Sequence, residues 1–292
     1  MPLHPEIAKA LATLPPPPAG PLDPPTMRAA EHAPAGDGLP QPADDVTVGD
    51  VPVRIYNAAA PRTLVYFHGG AFFLGSLDTH DHIARSLAKE TGRRVVSVGY
   101  RLAPEHAFPA GLDDCYAVVR WAAANETVAI AGDSSGGNFV AAVAATAHDG
   151  GFDRISHQIL YYPSLDLDFD EDRYPSLREN ATGYGLETAG LKPFNAFYLA
   201  SGADPADPKV SPIKRKNLTG LPPALIITGE LDPLRDEGEL YGRRLQEAAV
   251  DATVSRYAGA GHGFVQHFSW IPDYYRAFEE TAAFLREDED DK

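Results

Sequence analysis

The chain has 292 residues, 44% hydrophobic and 23% charged, proportions of an ordinary globular protein that exclude a disordered, fibrous or collagen-like chain. Its formal net charge of −16 repels phosphate backbones and anionic bilayers, so neither nucleic acid nor a membrane is an expected partner and a small neutral substrate fits better. No apolar stretch reaches the roughly 18 to 20 residues needed to cross a bilayer, and the one cysteine, Cys115, can form neither an internal disulfide nor a structural zinc site.

Residues 2–42 hold twelve of the 26 prolines, which limits this stretch to short helices, one of them over residues 4–14 with Pro5 in its first turn. Residues 1–45 therefore read as an arm covering the rest. The stretch lacks the basic segment and apolar run of a signal peptide, and together with the lone cysteine this predicts a cytoplasmic protein. From Asp45 the sequence VTVGDVPVRIY alternates as a hairpin does. Five apolar runs follow, LVYFHG, VVSVGY, VAIAGD, QILYYP and ALIITGE, with the unbroken hydrophobicity of strands buried on both faces. Helix-length segments at 79–91, 112–124, 136–148 and 234–249 lie among them, and this alternation predicts an α/β fold with a mostly parallel central sheet flanked by helices. Ile271, Tyr274, Phe278, Ala282 and Leu285 fall at helical spacing, so the chain closes with an amphipathic helix and then a solvated acidic end.

One segment, residues 164–223, interrupts the alternation. It carries DLDFDED, a helix-like stretch near 186–200 and a proline-rich return. Ligands of open α/β sheets bind beyond the carboxyl ends of the strands, so a cap over about 164–210 is expected to roof the site together with the arm, on a catalytic domain spanning 46–292.

The sharpest motif is AIAGDSSGGN, a strand-like run ending in Gly132-Asp133-Ser134-Ser135-Gly136 with a helix directly behind it. This is the context of a nucleophile elbow, whose strained turn requires small residues two before and two after the serine. Gly132 and Gly136 satisfy that around Ser134, whereas Ser135 would have Asp133 as its earlier flank. GDSSGG also occurs in chymotrypsin-type proteases, but those are all-β with the triad order His, Asp, Ser, which the α/β pattern rejects. A serine hydroxyl needs a histidine to take its proton and an acid to orient that histidine. Asp232 follows the strand ALIITGE, and His262 lies in GAGHGF behind the strand-like TVSRY, giving the order Ser, Asp, His of α/β-hydrolases. Asp236, one helical turn beyond Asp232, reads as a first-turn charge at a helix N-terminus, and His267 as a packing or surface residue. In YFHGGAFFLGS, Gly69, Gly70 and Ala71 leave backbone N–H groups unobstructed, which suits either an oxyanion site or a tight glycine turn.

Other clusters are weaker. Asp166, Asp168 and Asp170 imitate the start of a calcium loop, but Glu171 and Leu177 stand where glycine and glutamate are required, so a solvated acidic loop is expected. His80, Asp81 and His82 sit at a helix start, which predicts capping and surface placement rather than a metal site. No metal or cofactor is implied by any motif.

Taken in order, HGGAF, YRLAPEHAFPAGLDD, GDSSGGN, SPI, LPPALIITGELDPLRDEG and GHGF resemble the hormone-sensitive-lipase-like family of α/β-hydrolase carboxylesterases, over roughly residues 62–287. The resemblance implies an α/β-hydrolase fold and a cofactor-independent serine carboxylesterase with Ser134 as nucleophile, Asp232 as acid and His262 as base. It places the oxyanion hole on the N–H groups of Gly70, Ala71 and Ser135. Ala71 replaces the usual third glycine, and Ser135 the alanine that usually follows the nucleophile. The expected substrate is a short- to medium-chain acyl ester. An amide or peptide hydrolase on the same triad, and a ligand-binding receptor on the same fold, remain alternatives, although such receptors typically lack the triad histidine. A homodimer through an edge strand also stays open.

Overall fold

Strands that are apolar on both sides must be covered on both sides, and the chain achieves this with one sheet and helices on each face. The structure is a computed structural model and describes residues 2–13, 22–31 and 43–290; residues 14–21 and 32–42 of the predicted arm lie outside the described residues. In chain order the elements are α1 (Pro5–Thr13), α2 (Pro24–Ala30), β1 (Ala43–Val48), β2 (Val51–Tyr56), β3 (Thr63–Phe67), α3 (Asp81–Thr91), β4 (Arg94–Val98), α4 (Ala110–Ala122), β5 (Val128–Asp133) and α5 (Ser135–Asp149). They continue with β6 (Ile155–Tyr161), α6 (Ser176–Glu179), α7 (Thr188–Asn195), β7 (Ala224–Gly229), α8 (Arg235–Glu247), β8 (Ala252–Tyr257), α9 (Phe264–Phe268) and α10 (Pro272–Asp290).

The eight strands run in the order β1-β2-β4-β3-β5-β6-β7-β8. The β1–β2 hairpin pairs antiparallel, β2 joins β4 antiparallel, and every pairing from β4 to β8 is parallel. Successive residues of β3 to β7 enter opposite cores, as the two-residue period demands. Val65, Ile130, Leu160 and Ile226 pack on the side of α4, α5 and α8, while Leu64, Ala129, Ile159 and Leu225 pack on the side of α3 and α10.

Two expectations need correction. The single helix expected near 186–200 is split into α7, which continues through Pro193, and a 3₁₀ turn at Tyr198–Ser201. The acidic run is a solvated loop only in part: Glu171 and Asp172 are exposed, but its first member is not. Asp166 is fully buried, with Arg173 at 2.6 Å, Lys214 at 3.0 Å and the Tyr174 hydroxyl at 2.8 Å. Two cations and a phenol supply what water would otherwise give, so the charge is tolerated inside.

Candidate active site

The turn between β5 and α5 shows why its sequence is what it is. Ser134 has φ +54° and ψ −116°, outside the regions open to most L-residues. A Cβ on Gly132 would lie 2.4 Å from the Gly136 carbonyl oxygen, and one on Gly136 would lie 2.0 Å from that of Phe67. Both flanks must be glycine because backbone occupies the space. Gly136→Ala is accordingly expected to lower the unfolding free energy by about 1–3 kcal/mol or more, read from the urea midpoint; an unshifted midpoint would contradict the packing argument.

The turn lifts Ser134 toward the loops after β7 and β8. His262 Nε2 stands 2.9 Å from Ser134 Oγ, and His262 Nδ1 stands 2.7 Å from Asp232 Oδ2. Asp232 is fully buried, and its second oxygen accepts the Leu234 N–H at 2.8 Å. With Nδ1–H held by the carboxylate, Nε2 is left as an acceptor for the serine proton, the arrangement a nucleophilic serine requires. Asp236 takes no part in this. Its carboxylate accepts the Ser176 N–H at 2.8 Å and pairs with Arg235 at 2.8 Å, in the first turn of α8 as expected.

The loop after β3 faces Ser134. Gly70, Ala71 and Ser135 line the same cavity as Ser134 and His262, so the three predicted oxyanion residues and the three predicted catalytic residues come together. Gly70 at φ +121° has no room for a Cβ, which would meet the Leu74 carbonyl oxygen at 2.3 Å. Ala71 and Phe72 also have positive φ, +49° and +67°, so the loop stores strain that its surroundings must hold. The Phe72 N–H donates to Ser135 Oγ at 3.2 Å. Ser135 thus has a side-chain task that its sequence context did not reveal.

A buried polar layer supports this loop from below. Asp133 Oδ1 accepts the Tyr66 hydroxyl at 2.5 Å and the Gly69 N–H at 2.8 Å, and Asp133 Oδ2 faces His80 Nε2 at 3.6 Å. Burial alone would raise the Asp133 carboxyl, but His80 and the Tyr66 hydroxyl hold it below its ordinary value. His68 stacks on Tyr100 with ring centroids 4.2 Å apart. Burial, reinforced by His80, pushes the His68 imidazole down to about 3, leaving it neutral. The expectation that His80 and His82 cap α3 at the surface is wrong. Both are buried, and His80 occupies the N-cap position without a side-chain capping bond, because α3 packs its first turn under the loop.

The cavity over Ser134 has a volume of about 620 Å³, within the range of small-molecule sites. Its wall includes Ile7 and Leu11 from α1, Glu31 behind α2, and Leu191 and Phe194 from α7. Tyr184, Phe73 and Leu74 also line it, whereas Phe72 stacks on Tyr198 in the core, with centroids 3.9 Å apart. His267 also stands in the wall, a place that its sequence context did not signal. No group of three or more His, Cys, Asp or Glu among the described residues is arranged to hold a metal ion. No helix among them is long and apolar enough to cross a membrane.

A serine–histidine–aspartate constellation on the strand ends of a mostly parallel sheet is the signature of the α/β-hydrolase class. The family described as the alpha/beta hydrolase fold matches residues 64–266, and the chain belongs to it, in the hormone-sensitive-lipase-like branch. The chain is 39% identical over 264 residues to the carboxylesterase NlhH of Mycobacterium tuberculosis, covering 85% of this chain and 79% of that one. It is 34% identical to an ethyl acetate hydrolase of Pseudomonas putida, covering 76% and 74%. The solved esterase of the hyperthermophilic archaeon Pyrobaculum calidifontis superposes with a TM-score of 0.86 at 36% identity, covering 98% of this chain and 99% of that one. The protein is a carboxylic ester hydrolase.

Proposed function

We propose that the protein cleaves short- to medium-chain acyl esters through an acyl-enzyme formed on Ser134. Ser134 Oγ attacks the ester carbonyl while His262 Nε2 takes its proton and passes it to the leaving alcohol; Asp232 keeps His262 in the tautomer this requires. The N–H groups of Gly70, Ala71 and Ser135 receive the oxyanion. Water, deprotonated by the same histidine, then releases the acid. The observation that carries this reading is the unbroken chain from Ser134 Oγ to His262 to the buried Asp232, 2.9 Å and 2.7 Å long in its two links. A fluorophosphonate should modify one serine, and peptide mapping should find it at Ser134. Modification elsewhere, or none, would sink the assignment. The arm and the insertion together form the cap in this reading, supported by their shared lining of the cavity. The compartment we propose is the cytoplasm, supported by the lone, buried thiol of Cys115.

The substrate range follows from the limited, mostly apolar cavity over Ser134. Each acyl methylene buried gains about 0.8 kcal/mol, close to fourfold in rate, until the cavity is full; a longer chain must then displace α1 or α7. Across nitrophenyl esters from acetate to palmitate, kcat/KM should rise and then fall, with its maximum well short of palmitate. A maximum at palmitate, or a jump in rate when the substrate forms micelles, would mark a lipase instead.

A further inference from the structure

We propose that Arg28 and Glu31, at the end of α2, are positioning residues that hold the oxyanion loop in its working shape; this rests on the assignment of the oxyanion hole above. The loop from Gly70 to Gly75 needs such support. It carries two non-glycine residues at positive φ, each of which relaxes by roughly 1–2 kcal/mol if allowed to leave that region. Its internal bonds are few. The Phe73 and Leu74 N–H groups both turn back to the Gly70 carbonyl, at 3.1 and 2.8 Å.

Arg28 and Glu31 grip the far half of the loop by its backbone. Arg28 Nε donates to the Phe73 carbonyl at 2.7 Å, and its Nη2 donates to the carbonyl of Ala103, whose own N–H bonds the Phe72 carbonyl at 3.0 Å. The guanidinium is in turn fixed by a two-pronged pair with Glu105, at 3.0 and 2.8 Å. That bond holds the Glu105 carboxyl well below the usual carboxylate range. Both oxygens of Glu31 stand 3.1 Å from the Gly75 N–H. Gly75 has φ +85°, and a Cβ there would meet the Gly69 carbonyl oxygen at 2.3 Å, so this peptide group is where the two arms of the loop close on each other. The helix presenting these side chains is anchored separately, with Asp23 as N-cap accepting the Thr26 N–H at 3.1 Å.

The consequence concerns the transition state rather than substrate binding. The Gly70 and Ala71 donors act only if they point to where charge develops, and a displacement of about 1 Å costs roughly a hundredfold in rate. Arg28→Ala and Glu31→Ala are therefore expected to lower kcat for p-nitrophenyl butyrate by roughly 10- to 100-fold, with KM nearly unchanged. Each should weaken inhibition by an alkyl trifluoromethyl ketone by a similar factor. That ketone accepts Ser134 Oγ at its carbonyl carbon, passing the serine proton to His262 and placing the carbonyl electron pair on an oxyanion. Glu31→Gln keeps one carbonyl acceptor for the Gly75 N–H and should retain most of the activity.

Two folded alanine variants with wild-type kcat and ketone affinity would overturn the proposal. So would a fall in kcat with ketone affinity unchanged. If Arg28→Ala does not fold, the comparison of Glu31→Ala with Glu31→Gln decides alone. A wild-type enzyme that binds the trifluoromethyl ketone no more tightly than the parent methyl ketone would remove the oxyanion assignment itself, an outcome distinct from failure of the clamp.

Discussion

Ser134→Ala should reduce kcat/KM by roughly a millionfold, leaving only the residual rate that binding and oxyanion stabilisation provide. Ser134 stands at the tip of the strained turn with Oγ 2.9 Å from His262, and among the described residues no other hydroxyl shares that bond. Ser135 is its neighbour and is fully buried. The sequence motif alone suggests that Ser135→Ala keeps much of the activity, because only its backbone N–H is used. The structure amends this. Removing Ser135 Oγ leaves the Phe72 N–H without its acceptor, a loss of about 1–3 kcal/mol in a buried setting, and loosens the oxyanion loop. Ser135→Ala should thus be less stable and moderately slower, yet at least a thousandfold faster than Ser134→Ala given the scale of a nucleophile's loss. Measuring both variants against p-nitrophenyl butyrate checks the register of the elbow; equal losses, or a larger one at Ser135, would shift the nucleophile by one position.

What the sequence revealed depended on whether the signal was local. The runs that became β3 through β7 were readable because strands covered on both faces have no polar alternation to confuse them, and α10 because its apolar positions follow the helical period. The elbow is a local steric problem with a glycine solution, so Ser134 could be named from five residues. Asp232 and His262 followed from chain order and from their places behind strands. The order β1-β2-β4-β3-β5-β6-β7-β8, by contrast, joins segments far apart in the chain and leaves no periodic trace. The same holds for Arg28 and Glu31. Their partners Phe73 and Gly75 lie more than forty residues away, and the prolines around α2 suppress the helical pattern that would have drawn notice. His80 and Asp166 misled in the opposite direction. Each sits among polar neighbours that read as surface, and each is buried against a residue distant in the chain, Asp133 of β5 in one case and Lys214 in the other.

Asp232→Asn tests the acid by a change that leaves the shape of the side chain almost intact. Asp232 uses both oxygens: Oδ1 accepts the Leu234 N–H at 2.8 Å, and Oδ2 accepts from His262 Nδ1 at 2.7 Å. An asparagine offers one acceptor and one donor group. The Leu234 N–H is fixed by the backbone at the start of α8 and can only donate, so the amide oxygen must turn to it. The amide NH₂ then faces His262 Nδ1, which has to become an acceptor, and the ring proton moves to Nε2. A histidine protonated at Nε2 cannot take the proton of Ser134. The expected loss in kcat is roughly 10⁴-fold, the size known for the corresponding change in a serine protease triad, with the folded structure retained by circular dichroism. Asp236→Asn is the matched control. Its carboxylate serves the Ser176 N–H and Arg235, so its loss should slow turnover by less than about tenfold, as removal of a surface-type pair would. A rate for Asp232→Asn within tenfold of the wild type would show that the buried carboxylate does not set the tautomer of His262, and a reversal of the two variants would move the acid to Asp236.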